Sequence, residues 1–225
     1  MEGDTGGVGG CCDPRGYEDI FGARFARRQA RRYRKHGLDA AAQRIVDFLT
    51  ARGIEDATVL EIGGGVGEIQ LELLRRGAAQ ATNLELVDTY DAPARELAAE
   101  AGMTGRMSRR LLDIAAAPSD IGAADIVVLH RVVCCYPDYS RLLGAAADHA
   151  RRLLVFSHPP RNSISRAIVA TQNCVFRVTG RSYRAFTHPP AAMVQVLSGH
   201  GMRVNHRRHA TVWQVVGAER VPTGV

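Results

Sequence analysis

The run EIGGGVGE, residues 61–68, places four glycines between Glu61 and Glu68. It follows ATVLEIG (57–63), which reads as a strand, and opens EIQLELLRRG (68–77), which reads as a helix closed by Gly77. A glycine loop in that context lets a ligand approach bare backbone. Gly63 and Gly65 fit a Gly-x-Gly-x-x-Gly dinucleotide fingerprint, but its third position falls on Glu68, with Gly67 one place early. A carboxylate there opposes a pyrophosphate on the helix N-terminus. The expected ligand carries no phosphate, which disfavours a nicotinamide-dependent dehydrogenase.

S-adenosylmethionine is a phosphate-free nucleoside whose sulfonium and ammonium suit an acidic loop. The pattern Glu61-x-Gly63-x-Gly65-x-Gly67 resembles the first motif of class I S-adenosylmethionine-dependent methyltransferases, and the resemblance extends over most of residues 40–157. It implies a second acid near the end of the next strand, to take the ribose hydroxyls. Glu85, beside Leu86, stands 22 residues after Gly63 (85 − 63), close to the spacing of about 20 for such an acid. It further implies that Asp113 meets the adenine amino group, with Leu112 and Ile114 flanking the ring. The second half is similar to magnesium-protoporphyrin O-methyltransferases in its Tyr136-Pro137 after the fourth strand and its strand–helix–strand ending. It departs from them at Cys135, where that family is expected to have His.

Methyl transfer asks the protein to align an acceptor, exclude water and in some cases take a proton. Candidates for the reactive end follow the fourth and fifth strands. His130 and His158 are possible bases, and Tyr136 could bond to or stack on the acceptor. His130 ends the strand facing the sulfonium, so it is expected in the cofactor pocket as well. Arg161, Arg166, Arg181 and Arg184 could grip an anionic substrate or simply solubilise an exposed helix.

The elements that must position these residues alternate. After strand 57–63 and helix 68–77 come strand 81–86, helix 92–102, strand 106–114, strand 124–130, a helix from Asp138 to about Arg151 and strand 152–158. Strands separated by helices argue for a parallel sheet with crossovers. A helix at 189–201 and strands 202–208 and 211–220 close the pattern as an antiparallel pair. The expected fold is α/β and Rossmann-like, the class I methyltransferase fold. It has a mostly parallel seven-stranded sheet, helices on both faces and an antiparallel terminal strand. Ahead of it, residues 1–16 read as a flexible tail and 17–225 as one domain. That domain divides into a helical cap (17–53), a cofactor-binding core (57–157) and a lid-like insertion (158–186). Within the cap, Ile20, Phe21, Phe25 and Tyr33 suggest one amphipathic helix over 18–35, Gly37 a stop, and Asp39 the cap of the next helix.

The chain has 225 residues and a formal charge of +6, and Lys35 is its one lysine. No apolar run is long enough to span a membrane and no basic segment precedes an apolar one near residue 1, so a cytoplasmic protein without a membrane partner is expected. Five cysteines, Cys11, Cys12, Cys134, Cys135 and Cys174, match neither a zinc pattern nor a disulfide framework, and no metal is expected. A small-molecule methyl acceptor is expected, with its acceptor atom left open, in a monomer or homodimer. The basic charge allows a nucleic-acid methyltransferase instead, but LHRVVCCYP lacks the Asn/Asp-Pro-Pro-aromatic turn of base-amino methylation. A non-catalytic S-adenosylmethionine-binding protein is the other alternative.

Overall fold

The computed structural model describes residues 16–208, 210 and 212–222. The expected tail, with Cys11 and Cys12, lies outside the described residues except for Gly16. Seven strands form one sheet: β1 (Thr58–Ile62), β2 (Gln80–Glu85), β3 (Met107–Leu111), β4 (Ala124–Leu129), β5 (Ala150–His158), β6 (Met202–Arg208) and β7 (Gln214–Arg220). Their order is β3-β2-β1-β4-β5-β7-β6. The first five are parallel, and β7 runs antiparallel to both β5 and β6. Strand order reverses between β1 and β4, the place where open α/β sheets bind ligands beyond the strands' carboxyl ends.

Side-chain alternation builds two apolar layers. Val59, Ile126, Val128 and Val155 pack with Ile45, Phe48 and Leu49 of α3 (Ala40–Thr50) and Ile69 and Leu73 of α4 (Glu68–Arg75). Leu60, Ile62, Val127, Leu129 and Phe156 face Leu142 and Leu143 of α6 (Tyr139–His149) and Met193 and Leu197 of α8 (Pro190–Gly199). Helices thus cover both faces. A third layer joins Leu97 of α5 (Asp91–Glu100), Phe176 of α7 (Ser163–Val178) and the N-terminal helices. The ring of Phe48 lies over Gly217, where an added Cβ would fall 2.3 Å from its Cζ. Four residues on, Arg52 Nε donates to Glu219 at 2.6 Å.

The cap differs from its sequence pattern. Instead of one helix over 18–35, the chain forms α1 (Tyr17–Ile20) and α2 (Ala23–His36), broken at Phe21-Gly22. Helical spacing cannot show such a break, because the apolar period continues through it. A tertiary bond holds the bend: Thr89 Oγ1 donates to the Phe21 carbonyl at 2.6 Å. Asp39 caps α3 as expected, accepting from the N–H groups of Ala41 and Ala42. The third strand is shorter than 106–114, and β7 begins at Gln214 rather than 211.

Candidate active site

The segment from Gly63 to Gly67 leaves β1 and enters α4 through a turn that needs its glycines for different reasons. Gly63 has φ +66, and an added Cβ would stand 2.5 Å from Val132 Cγ2. At Gly64 an added Cβ would stand 2.6 Å from the Glu61 carboxyl and 2.8 Å from Asn83 Oδ1, the atom that accepts the Gly64 N–H. The loop is also bound by side chains of β2 and β3. Glu85 Oε1 accepts the Gly65 N–H at 2.5 Å, and Arg109 Nη1 donates to the Gly65 carbonyl at 2.9 Å. Asp91 Oδ1, 3.1 Å from Arg109 Nε, holds that guanidinium in place.

Above this loop lies a cavity of about 290 Å³, the scale of a small-molecule site. Of the residues expected for cofactor binding, Glu61, Gly63, Gly65, Glu85 and Leu86 line it together with Leu112, Asp113, Ile114 and His130. Gly67 does not; it begins α4 at φ +81 and packs toward Met107. Of the expected catalytic residues, His130 and Tyr136 line the cavity. His158 is not among the lining residues: it is buried, its ring stacks on Phe156 and its Nδ1 lies 2.8 Å from the Pro159 carbonyl.

Three carboxylates crowd the loop. Glu61, Glu68 and Glu85 are all buried. Burial, with the charges of Glu68 and Glu85 adding to it, pushes Glu61 up to about 8. Burial raises Glu85 to about 7 against the opposing Gly65 N–H bond. Burial raises Glu68 too, opposed by Arg32 at 3.8 Å and the Gln29 amide at 3.4 Å. Among the described residues, Glu61 Oε2 is buried without a hydrogen-bond partner. A cluster of this kind is a poor place for an anion and a good one for a cation.

The far side is aromatic and basic. Tyr17, Phe21 and Phe25 line the cavity with Arg28 and Arg32 of α2, so the N-terminal helices form its wall. Tyr17 hydroxyl donates to the Cys135 carbonyl at 2.7 Å, and Tyr183 hydroxyl donates to Cys135 Sγ at 3.0 Å. The insertion 158–186 contributes no lining residue; Phe176 and Tyr183 buttress the aromatic wall from behind. Arg161, Arg166 and Arg181 are exposed and Arg184 half-buried, and none of the four lines the cavity. Cys134 and Cys135 have Sγ atoms 3.7 Å apart, and only Cys135 lines the cavity.

After β4 the chain turns through Arg131, a non-glycine residue at φ +62. Its N–H donates to Ser157 Oγ at 2.9 Å, its guanidinium pairs with Asp39, and it lies 5.1 Å over the Trp213 ring. Burial and the Arg131 charge lower His130 to about 4. Tyr136 hydroxyl donates to Asp113 Oδ2 at 2.8 Å, while Asp113 Oδ1 accepts the Ala115 N–H at 3.0 Å. Gly64, Asn83, Arg109 and Ser157 escaped the sequence reading. A polar Asn inside the strand run ATNLEL was the one local hint.

Among the described residues, no three His, Cys, Asp or Glu side chains gather as metal ligands would. Nor is any helix among them long and apolar enough to cross a membrane.

No curated protein matches the sequence significantly. Solved structures do. Magnesium protoporphyrin IX methyltransferase from Synechocystis PCC 6803, with bound SAH, aligns at a TM-score of 0.71 and 20% identity, over 91% of this chain and 98% of that one. An O-methyltransferase family protein from Burkholderia thailandensis aligns at 0.65 and 20%, over 91% of this chain and 64% of that one. An O-methyltransferase family 2 protein from Planctomyces limnophilus DSM 3776, in complex with apigenin, aligns at 0.66 and 17%, over 87% and 62%. At these identities they show a shared fold. The profile of the methyltransferase domain matches residues 30–208, and the chain belongs to that family.

Proposed function

We propose that the cavity binds S-adenosylmethionine and that the protein transfers its methyl group to a small-molecule acceptor. The observation that carries this reading is the trio Glu61, Glu68 and Glu85 around a glycine loop, with Glu61 Oε2 lacking a hydrogen-bond partner among the described residues. A cationic nucleoside answers both features. The residues fit it: in this reading Glu85 takes the ribose hydroxyls, and Leu86, Leu112 and Ile114 flank the adenine. Asp113 meets the adenine amino group in the same reading, and Glu61 the ammonium. When bound, the cofactor supplies a methyl carbon activated by a sulfonium. The chain's own part is to hold that nucleoside by its sugar and charge, to exclude water with Tyr17, Phe21 and Phe25, and to align the acceptor near His130.

The acceptor class rests on the aromatic-walled cavity and on two structural neighbours, a magnesium protoporphyrin IX methyltransferase and an O-methyltransferase family 2 protein in complex with apigenin. In the same reading, residues 17–53 are the cap, 57–157 the cofactor core and 158–186 a brace behind the cap. The odd cysteine count suits a reducing cytoplasm.

Titration calorimetry tests the reading. S-adenosylmethionine and its demethylated product should bind, with NAD giving no heat, and Glu85→Gln should weaken both. A folded protein that binds neither nucleoside would sink it. RNA methylation is the second reading, favoured by the ten arginines and absent acids of residues 149–218. A salt-sensitive shift on RNA with methyl incorporation would support it.

A further inference from the structure

The imidazole of His130 stands at the carboxyl end of β4, in the wall of the cavity. Its Nδ1 lies 3.0 Å from Ser157 Oγ, and that oxygen also lies 2.9 Å from the Arg131 backbone nitrogen. Ser157 is fully buried, and among the described residues its hydroxyl has no further partner. These contacts determine where the protons sit.

A serine hydroxyl offers one proton and two lone pairs. The Arg131 N–H can only donate, so it occupies one lone pair. Were Nδ1 also protonated, it would take the second lone pair, and the hydroxyl proton would be buried with no acceptor. Native interiors rarely tolerate such a donor. The opposite arrangement satisfies every group: the Ser157 hydroxyl donates to Nδ1, and the imidazole proton stands on Nε2. The ring is neutral in this setting, because burial and the nearby Arg131 and Arg32 charges disfavour the imidazolium.

Nε2 is itself buried without a partner among the described residues, as is Arg131 Nε on the adjacent residue. Both residues line the cavity. Two neighbouring donors therefore have no acceptor among the described residues. We infer that Ser157 locks His130 into its Nε2–H tautomer, so that His130 serves as a fixed hydrogen-bond donor to a ligand oxygen rather than as the general base.

The donor role rests on reading the cavity as the cofactor and acceptor site; the tautomer does not. The ligand chemistry is a lone-pair oxygen, preferably anionic. Two sources can present one here, the carboxylate of the bound cofactor and an oxygen of the methyl acceptor. Ser157 is a positioning residue in this scheme, acting only through the ring it orients.

Long-range proton–nitrogen NMR on protein with labelled histidines tests the inference. His130 is assigned by the signal lost in His130→Gln. The wild type should show a protonated Nε2 and an unprotonated Nδ1 at neutral pH. Ser157→Thr should preserve that signature, and Ser157→Ala should relax it toward a tautomer mixture. A protonated Nδ1 in the wild type, or an unchanged signature in folded Ser157→Ala, overturns the assignment. Exchange of the Nε2 proton then locates the oxygen. Slowing by S-adenosylhomocysteine but not by 5′-methylthioadenosine, which has no carboxylate, assigns it to the cofactor. In that case His130→Ala should lose about tenfold in S-adenosylhomocysteine affinity, with His130→Gln retaining most of it. Equal, unslowed exchange with both nucleosides bound assigns the oxygen to the acceptor. Slowing by both nucleosides alike would put Nε2 against the thioadenosine portion that they share, and would overturn both sources named for the oxygen. Failure of both nucleosides to bind would remove the cofactor reading and the donor role with it, while the tautomer is decided by its own spectrum.

Discussion

The hydroxyl of Tyr136 donates to Oδ2 of Asp113 across 2.8 Å, tying the loop after β4 to the end of β3. The bond commits the tyrosine to the carboxylate proposed for the adenine, whereas the sequence alone suggested a partner for the acceptor. Tyr136→Phe is therefore expected to weaken cofactor binding by about 1 kcal/mol through a misoriented Asp113. Calorimetry with S-adenosylhomocysteine measures this, and unchanged affinity would return Tyr136 to the acceptor side.

Glu85 has two partners in this reading, the Gly65 N–H and the proposed ribose. Glu85→Ala should cost about 1.5–3 kcal/mol of cofactor affinity, as loss of charge-assisted hydrogen bonds does. Because Gly65 loses its acceptor, hydrogen exchange at that amide should accelerate even without ligand. Loss of affinity with Gly65 exchange unchanged would show that the loop does not depend on Glu85.

Stability should depend on pH through Glu61, raised to about 8 in the folded chain. An unfolded glutamate titrates near 4.3, so the folded state holds this proton more tightly. The contribution is fully present below about pH 4 and is lost as pH rises through 8. Relative to Glu61→Gln, the wild type should thus lose denaturation midpoint between about pH 5 and 8, the interval between the two titrations. Parallel curves for the two proteins would mean that Glu61 stays ionised when folded. A cationic ligand beside Glu61 favours the carboxylate, so nucleoside binding near pH 7 should release protons, seen as buffer-dependent heats.

Hydrogen exchange across residues 23–36 should slow when the cofactor binds. Gln29 and Arg32 of α2 already reach Glu68, and Phe25, 46% exposed, lines the cavity, so a ligand there adds contacts to the helix. Equal rates with and without ligand would make α2 a passive wall.

Features governed by neighbours in sequence were legible. The strand–loop–helix of residues 58–75 with Glu61, the Asp39 cap and the apolar run of β4 follow from local pattern, as do the β2 and β3 runs that carry Glu85 at an end and Asp113 just past one. Contacts made across the sheet were not legible. Arg109 reads as an ordinary strand arginine, yet it pairs in register with Asn83 and reaches the Gly65 carbonyl. Ser157 precedes His158 and drew no notice beside it, although the buried hydroxyl is the one that meets His130. His158 was the more visible residue because histidine titrates. Its distance from the cavity follows from packing against Phe156, which spacing cannot convey.

The seating of β7 between β5 and β6 has a consequence for how the chain is made. Arg52 and Glu219 are 167 residues apart in sequence, and Phe48 waits for Gly217 over a similar interval. At about 5–20 residues per second, α3 leaves the ribosome roughly 10–30 s before the strand that covers it. For the later part of that time β5 has one bare edge, and β6 emerges before the strand to which it bonds. A release from the ribosome that stops short of residue 214 would leave both edges open at once, an aggregation-prone nascent species. Variants that slow the arrival or docking of β7, such as Gly217→Val against the Phe48 ring, should show their defect in soluble yield during synthesis. Once the sheet has closed, the same strand is held on both sides.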